Sequence, residues 1–308
     1  MTSPSRDWRI ALREPDGPPQ RYATMTISNR LWLLTNAKSG SNSEAAIDEL
    51  QGHCGTAGLS IERTIHFPDE DIPTASELDT AGIECLAIFT GDGTLNAVIT
   101  SLYGWNGAVL VLPGGTMNLL SIRMHGECDI GTIIERYRRG AMRRWRPEVA
   151  RCEAGDALAG LLIGPGTAWA NVREAMRAGD MAQTTAQASA AMTETTEGAR
   201  VRCAKPELGR REGYPLIEMT PSHRGMQVDA FHADTAVELA KQGWALLRRS
   251  FREGPHDLLG LVDRLVVENC EGEPLGILID GEPATLGSRA EFDLAPCEVD
   301  LLASQHGY

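Results

Sequence analysis

The chain has 308 residues, 42% hydrophobic and 23% charged, with a formal net charge of −13; it is long enough for two domains with separate cores and ordinary for a globular protein. The acidic balance argues against nucleic acid as a partner, since neutralising a phosphate backbone needs a basic surface. No stretch approaches the roughly 18 uninterrupted apolar residues that span a bilayer, the first residues lack the apolar centre of a signal peptide, and the seven scattered cysteines form neither a CxxC pair nor a zinc cluster, so the expectation is a cytoplasmic chain that meets membranes only at their surface.

Residues 1–28 are rich in Pro, Gly, Asp and Arg without periodicity and read as a loose tail. From 29 to 146 short apolar runs alternate with amphipathic stretches: strands over 31–35, 59–65, 83–89 and 108–112, helices over about 43–52, 95–102 and 117–124. That alternation predicts an α/β domain with a parallel sheet and crossover helices. Gly131 to Arg146 reads as one more helix, ending in a run of Arg136, Arg138, Arg139, Arg143, Arg144 and Arg146 around Trp145. Such a run is either a solvated connector or a patch that meets anionic headgroups at a membrane surface.

From 147 to 308 the pattern becomes short strands, over 149–153, 157–163, 200–203, 214–219, 226–232, 264–269, 275–279, 290–294 and 298–302. Strands at this density predict a mainly β, sandwich-like domain. Two helical segments interrupt it. Thr167 to Met192 is a lid or a structural insert. Thr235 to Phe251 carries Val237, Leu239, Trp244, Leu247 and Phe251 as a stripe of the kind that packs inward.

Three strands of the first domain end in small, glycine-bearing loops: Asn36-Ala37-Lys38-Ser39-Gly40, Gly91-Asp92-Gly93-Thr94-Leu95-Asn96 and Pro113-Gly114-Gly115-Thr116-Met117-Asn118. An Asp-Gly pair alone is an ordinary turn signal. In an open α/β sheet, however, ligands bind at the carboxyl ends of strands, so three such loops can converge on one site. Glycines bare the main chain, and N–H groups at the start of a following helix favour an anion, phosphate being the obvious candidate.

NAKSG, TGDGTLNAV and LPGGTMNLL, in that order, resemble the three motifs of the diacylglycerol kinase catalytic domain family, the lipid kinases that include diacylglycerol, sphingosine and ceramide kinases. Members usually read close to NPxSG, GGDGTxNEV and PxGTxNDxA; here Ala37, Thr90, Ala97 and Leu119 depart from that pattern. The resemblance implies an α/β nucleotide domain and a β-rich domain with the active site in the cleft between them, and ATP with Mg²⁺ as cofactors. It implies nucleotide contacts from Asn36, Ser39, Gly40, Gly91, Asp92, Gly93, Thr94, Leu95, Asn96, Gly114, Gly115, Thr116 and Asn118, and from Thr64 near the end of the second strand.

Asp280-Gly281-Glu282 follows an apolar strand. It is either a hairpin turn or, if the strand continues, a pair of carboxylates on one side. The match to the family's DGE motif implies Glu282 as general base for an acceptor hydroxyl, Asp280 as its partner or the Mg²⁺ contact, and Asp92 as an orienting carboxylate. The expected activity is phosphoryl transfer from ATP to a diacylglycerol- or sphingoid-like alcohol. Two other readings stand beside it: a kinase for a soluble acceptor, as in NAD kinases, which share GDGT but carry a different second motif, and a nucleotide-binding protein without catalysis, motivated by Thr90, Ala97 and Leu119.

Overall fold

The computed structural model describes residues 28–36, 43–169, 172, 175, 181–231 and 256–304. The tail 1–27, Ser39 and Gly40 of the first loop, part of the 167–192 segment and the 235–251 stretch lie outside the described residues. The first half runs β1 Arg30–Asn36, α1 Glu44–Thr56, β2 Ser60–Phe67, α2 Ala75–Thr80, β3 Cys85–Thr90, α3 Asp92–Ser101, β4 Ala108–Pro113, α4 Leu119–His125, α5 Ile130–Arg138 and β5 Arg143–Trp145. Then come β6 Glu148–Cys152, β7 Gly155–Ala157, β8 Leu161–Ile163, α6 Met181–Glu197, β9 Val201–Lys205, β10 Glu207–Leu208, β11 Leu216–Ser222 and β12 Gly225–Phe231. The chain continues with β13 His256–Val262, β14 Arg264–Asn269, β15 Leu275–Ile279, β16 Glu282–Leu286, β17 Arg289–Pro296 and β18 Asp300–Ala303.

The first sheet has the order β2-β1-β3-β4-β18-β5, parallel from β2 to β18. Strands β3 and β4 are apolar throughout because both faces are covered. Leu95, Val98 and Ile99 of α3 and Leu120 and Met124 of α4 cover one face, while Leu50 and Cys54 of α1 and Ile133, Ile134 and Tyr137 of α5 cover the other. Helix starts are set locally: Ser43 and Asp129 accept from the first-turn N–H groups of α1 and α5, and Thr74 and Glu77 form a reciprocal capping box on α2. α2 falls between the expected strands over 59–65 and 83–89, where no helix was expected.

The helix expected over 131–146 is shorter. It closes at Arg138, Gly140 takes a left-handed turn at φ 65°, and Arg143–Trp145 becomes an edge strand paired antiparallel with β18. The arginine run is accordingly divided among internal partners. Arg136 bonds the His125 carbonyl and Ser304 Oγ, both at 3.0 Å. Arg139 pairs with Glu135, and Arg144 and Arg146 both pair with Asp300 at 2.9 and 2.8 Å.

Two antiparallel sheets follow, β10-β9-β14-β17-β6-β7 and β13-β12-β11-β8-β15-β16. Their inner faces share one core, with Val201, Val267 and Phe292 from one sheet meeting Ile163, Met219 and Ile277 from the other, which is a sandwich. The chain leaves the first sheet after β5 and returns to it at β18, so residues 298–302, expected among the sandwich strands, contribute their β structure to the first sheet instead. The sandwich is inserted between two neighbouring strands of the α/β unit.

Candidate active site

With the order β2-β1-β3-β4, strand connections diverge between β1 and β3, and the crevice at their carboxyl ends is the natural ligand position of such a sheet. Two of the three sequence loops meet there with the end of the first strand. Asn36, the last residue of β1, donates from Nδ2 to Thr94 Oγ1 at 2.9 Å. The GDGT turn is tighter than the sequence suggested, because only Gly91 separates β3 from α3 and Asp92, Gly93 and Thr94 already form the helix's first turn. Their N–H groups lie in the first turn, where no intrahelical acceptor is available and the helix dipole favours an anion.

Asp92 ties the second loop to the third. Its Oδ2 accepts from Leu119 N at 3.1 Å and its Oδ1 from Leu120 N at 3.2 Å, at the start of α4. Asn118 adopts a left-handed conformation (φ 53°), and its Oδ1 accepts from Gly115 N at 2.7 Å, folding the loop on itself. A Cβ on Gly115 would stand 2.6 Å from the Gly91 Cα, so the two glycine loops touch backbone to backbone. Gly114 and Gly115 are both buried, whereas Thr116 is exposed beside them. The helix position of Leu95 is different: its side chain is 1% exposed and belongs to the core beneath α3.

Thr64 is not brought to these loops. It pairs with Leu33 in the middle of β2, three residues before Phe67 reaches the level of Asn36. Neighbours in register on parallel strands share a face, so Thr64 lies on the Leu33 side, under α1 and α5, and Asn36 on the other.

Asp280 and Gly281 are the two central residues of a tight hairpin between β15 and β16, both with positive φ (49° and 94°) and flanked by the Ile279–Glu282 pair. The strand does not continue, and the two carboxylates therefore part. Asp280 turns inward, where it accepts from Asn96 Nδ2 at 2.7 Å, Leu158 N at 2.8 Å, Ala159 N at 2.8 Å and Gly160 N at 2.9 Å. Burial pushes its pKa up, and the four N–H donors pull against that shift. A carboxylate so engaged is a strut, and the expectation that Asp280 holds Mg²⁺ does not fit its surroundings. Among the described residues no group of three or more His, Cys, Asp or Glu side chains is arranged to hold a metal ion.

Glu282 turns the other way, onto the GDGT turn. A Cβ built on Gly93 would lie 2.1 Å from Glu282 Oε1 and 2.9 Å from its Cγ, so with any other residue here Glu282 would have to shift. The hairpin brings the carboxylate of one unit onto the first turn of helix α3 of the other. Beside it opens a cleft of about 650 Å³, walled by Asn96, Ala97 and Thr100 on α3, the β6–β7 hairpin, and Glu282 to Ala284.

Several residues fix this cleft in ways the sequence did not show. Asn96 spans the two units by donating to Asp280 and also to the Asp156 carbonyl at 2.6 Å. The Asp156 carboxylate takes a two-pronged bond from Arg151, both at 2.8 Å, and one from Tyr103 Oη at 2.6 Å. Arg123 of α4 donates to the Leu158 and Glu148 carbonyls at 2.5 and 2.9 Å, and burial pushes its pKa down to about 10. Of these only Asn96 belongs to a motif, and the motif does not show that it joins the two units. Only the finished packing of α3 and α4 against the 148–160 segment brings them together.

Three of the four motif departures fall among the described residues. Thr90 ends β3 fully buried, its hydroxyl donating to the Gly91 carbonyl at 3.2 Å beneath the loop. Ala97 lines the cleft, and Leu119 contributes its backbone N–H to Asp92.

A parallel α/β unit with glycine loops at its switch point is joined here by a carboxylate-bearing hairpin from a β-sandwich. Residues 30–147 match the family model of the diacylglycerol kinase catalytic domain. The whole architecture is shared with solved structures from Bacillus anthracis str. Sterne. A diacylglycerol kinase superposes with a TM-score of 0.56 at 14% identity over 89% of this chain and 97% of that one. A putative diacylglycerol kinase gives 0.59 at 15% identity over 93% and 98%. At that identity the likeness is one of fold. No curated protein matches the chain.

Proposed function

We propose that this protein transfers the terminal phosphoryl group of ATP to the hydroxyl of a lipid alcohol in the cleft between its two units. The observation that carries the reading is the placement of Glu282 over Gly93, a carboxylate from the sandwich resting on the first turn of the anion-favouring helix. Backbone N–H groups of Asp92, Gly93 and Thr94 and the adjoining Gly114–Gly115 main chain cradle the nucleotide phosphates. Asn36, Asp92 and Asn118 hold those loops in place rather than touching the reacting atoms. The acceptor enters through the 650 Å³ cleft, where Ala97 leaves room beside Glu282.

An alcohol is a poor nucleophile near neutral pH, and a positioned carboxylate that takes its proton in the transition state typically contributes 10²–10⁴-fold. Glu282 takes that proton as the acceptor oxygen forms its bond to phosphorus and the bond to the ADP oxygen breaks. Mg²⁺ bound with the nucleotide would supply charge neutralisation at the phosphates; such ions commonly keep several waters and use one or two protein carboxylates. Asp280 supports the hairpin that delivers Glu282.

Of the departures that motivate the reading without catalysis, Thr90 lies beneath the loop and Leu119 acts through its backbone, while Ala97 lines the cleft. Among the described residues no helix is long and apolar enough to cross a membrane. Incubation of the protein with γ-labelled ATP, Mg²⁺ and a total lipid extract should move label into an organic-phase product. Label that stays with nucleotide and water, with ATP nonetheless bound, would leave the loops as a nucleotide site and remove the lipid acceptor.

A further inference from the structure

The sheet that walls the cleft with its β6–β7 hairpin carries β9 and β10 at its opposite edge. There Glu268 of β14 is flanked across both neighbouring strands, by Arg202 on β9 and Arg289 on β17. Both guanidiniums bond the one carboxylate, Arg202 through Nε at 2.8 Å and Arg289 on the second oxygen. Arg210 and Arg211, in the turn after β10, close over the same place. The four arginines, with Glu207 and Glu268, line a concavity of about 250 Å³.

A cross-strand ion ladder needs one arginine for each acid. Among the described residues four arginines meet two acids here, and counting Asp257, which Arg210 reaches at 3.4 Å, still leaves the cluster positive in a chain of net charge −13. Stability does not account for the surplus, because exposed ion pairs contribute about 0–1 kcal/mol. The Arg211–Glu207 pair is the most exposed of these, with side chains 84% and 63% exposed, and it opens at little cost. Guanidinium forks converging from different strands and a turn match the oxygens of a phosphate, which they bind in pairs. The volume lies below the roughly 300–1,000 Å³ of sites for drug-sized ligands, so the concavity suits a phosphate group rather than a nucleotide.

We propose that this concavity is a second anion site, which binds a phosphate dianion presented either as free phosphate or as the monoester headgroup of a membrane lipid. The test is calorimetric titration of the full chain with inorganic phosphate, alongside a variant with Arg211→Gln and Arg289→Gln, both at largely exposed side chains that the fold does not need. The variant should bind phosphate at least tenfold more weakly, and ATP as tightly as the wild type. An unchanged phosphate isotherm would overturn the proposal, since any phosphate bound would then sit at the glycine loops. Co-sedimentation with phosphatidylcholine vesicles, with and without phosphatidic acid, separates the two sources. Binding that requires phosphatidic acid and is lost in the variant marks a lipid headgroup, whereas equal vesicle binding beside a lost phosphate isotherm marks the free ion.

Discussion

Asp280 and His125 are both buried ionisable groups, and their partners give them different consequences. Asp280 accepts four N–H bonds, so the amide of Asp280→Asn must turn its own donors toward at least one of them. Leaving a buried donor unmatched costs about 1–3 kcal/mol. The variant should unfold at lower denaturant concentration and turn over more slowly, with the Mg²⁺ concentration for half-maximal activity unchanged. A raised Mg²⁺ requirement would restore Asp280 as a metal contact. His125 accepts at Nδ1 from Ser304 Oγ (3.1 Å) and donates from Nε2 to the Val111 carbonyl (3.0 Å), and burial pushes its pKa down to about 4 from 6.5. The unfolded chain therefore takes the proton first on acidification. The contribution of neutral His125 is fully present above about pH 6.5 and is lost as pH falls toward 4, amounting to about 2 kcal/mol between pH 7 and pH 5. Urea midpoints at those two pH values should show that loss in the wild type and lack it in His125→Gln.

At the scale of elements, two glycines in neighbouring loops have separable tasks. A Cβ on Gly115 would press at 2.6 Å on the Gly91 backbone, which cannot swing away, so Gly115→Ala should part the two loops and weaken ATP binding tenfold or more, about 1.4 kcal/mol. A Cβ on Gly93 would meet the end of the Glu282 side chain, which can move. Gly93→Ala should therefore cut turnover by displacing Glu282 while changing ATP affinity less than Gly115→Ala does. Calorimetry and steady-state rates on the pair would show whether the effects split in this way; equal losses of affinity would mean that both glycines face only the nucleotide. The hairpin at Asp280-Gly281 belongs to the same scale, because its left-handed turn is what sends two adjacent carboxylates in opposite directions.

For the whole molecule, the alternation of strands and helices and the later density of strands made both units legible in the sequence, because hydrophobic period reports which faces are covered. The glycine loops were legible for the same reason, lying at strand ends. The return of β18 to the first sheet was not, since pairing between Leu301 and Val109 depends on contacts almost two hundred residues apart rather than on local pattern. The divergence of Asp280 from Glu282 was hidden as well; spacing of two suggests one face only while a strand lasts. Asn96 and Arg123, which join the units, looked like a motif residue and an ordinary helix residue until the 148–160 segment packed on them. The central claim is that a carboxylate from the sandwich does its chemistry on the nucleotide loops of the α/β unit. Its most direct test compares wild type with Glu282→Gln, reading turnover on the lipid acceptor and ATP affinity by calorimetry in the same preparations. The account predicts turnover reduced by about 10²–10⁴-fold with ATP affinity near that of the wild type. Undiminished turnover in a folded Glu282→Gln protein would contradict it.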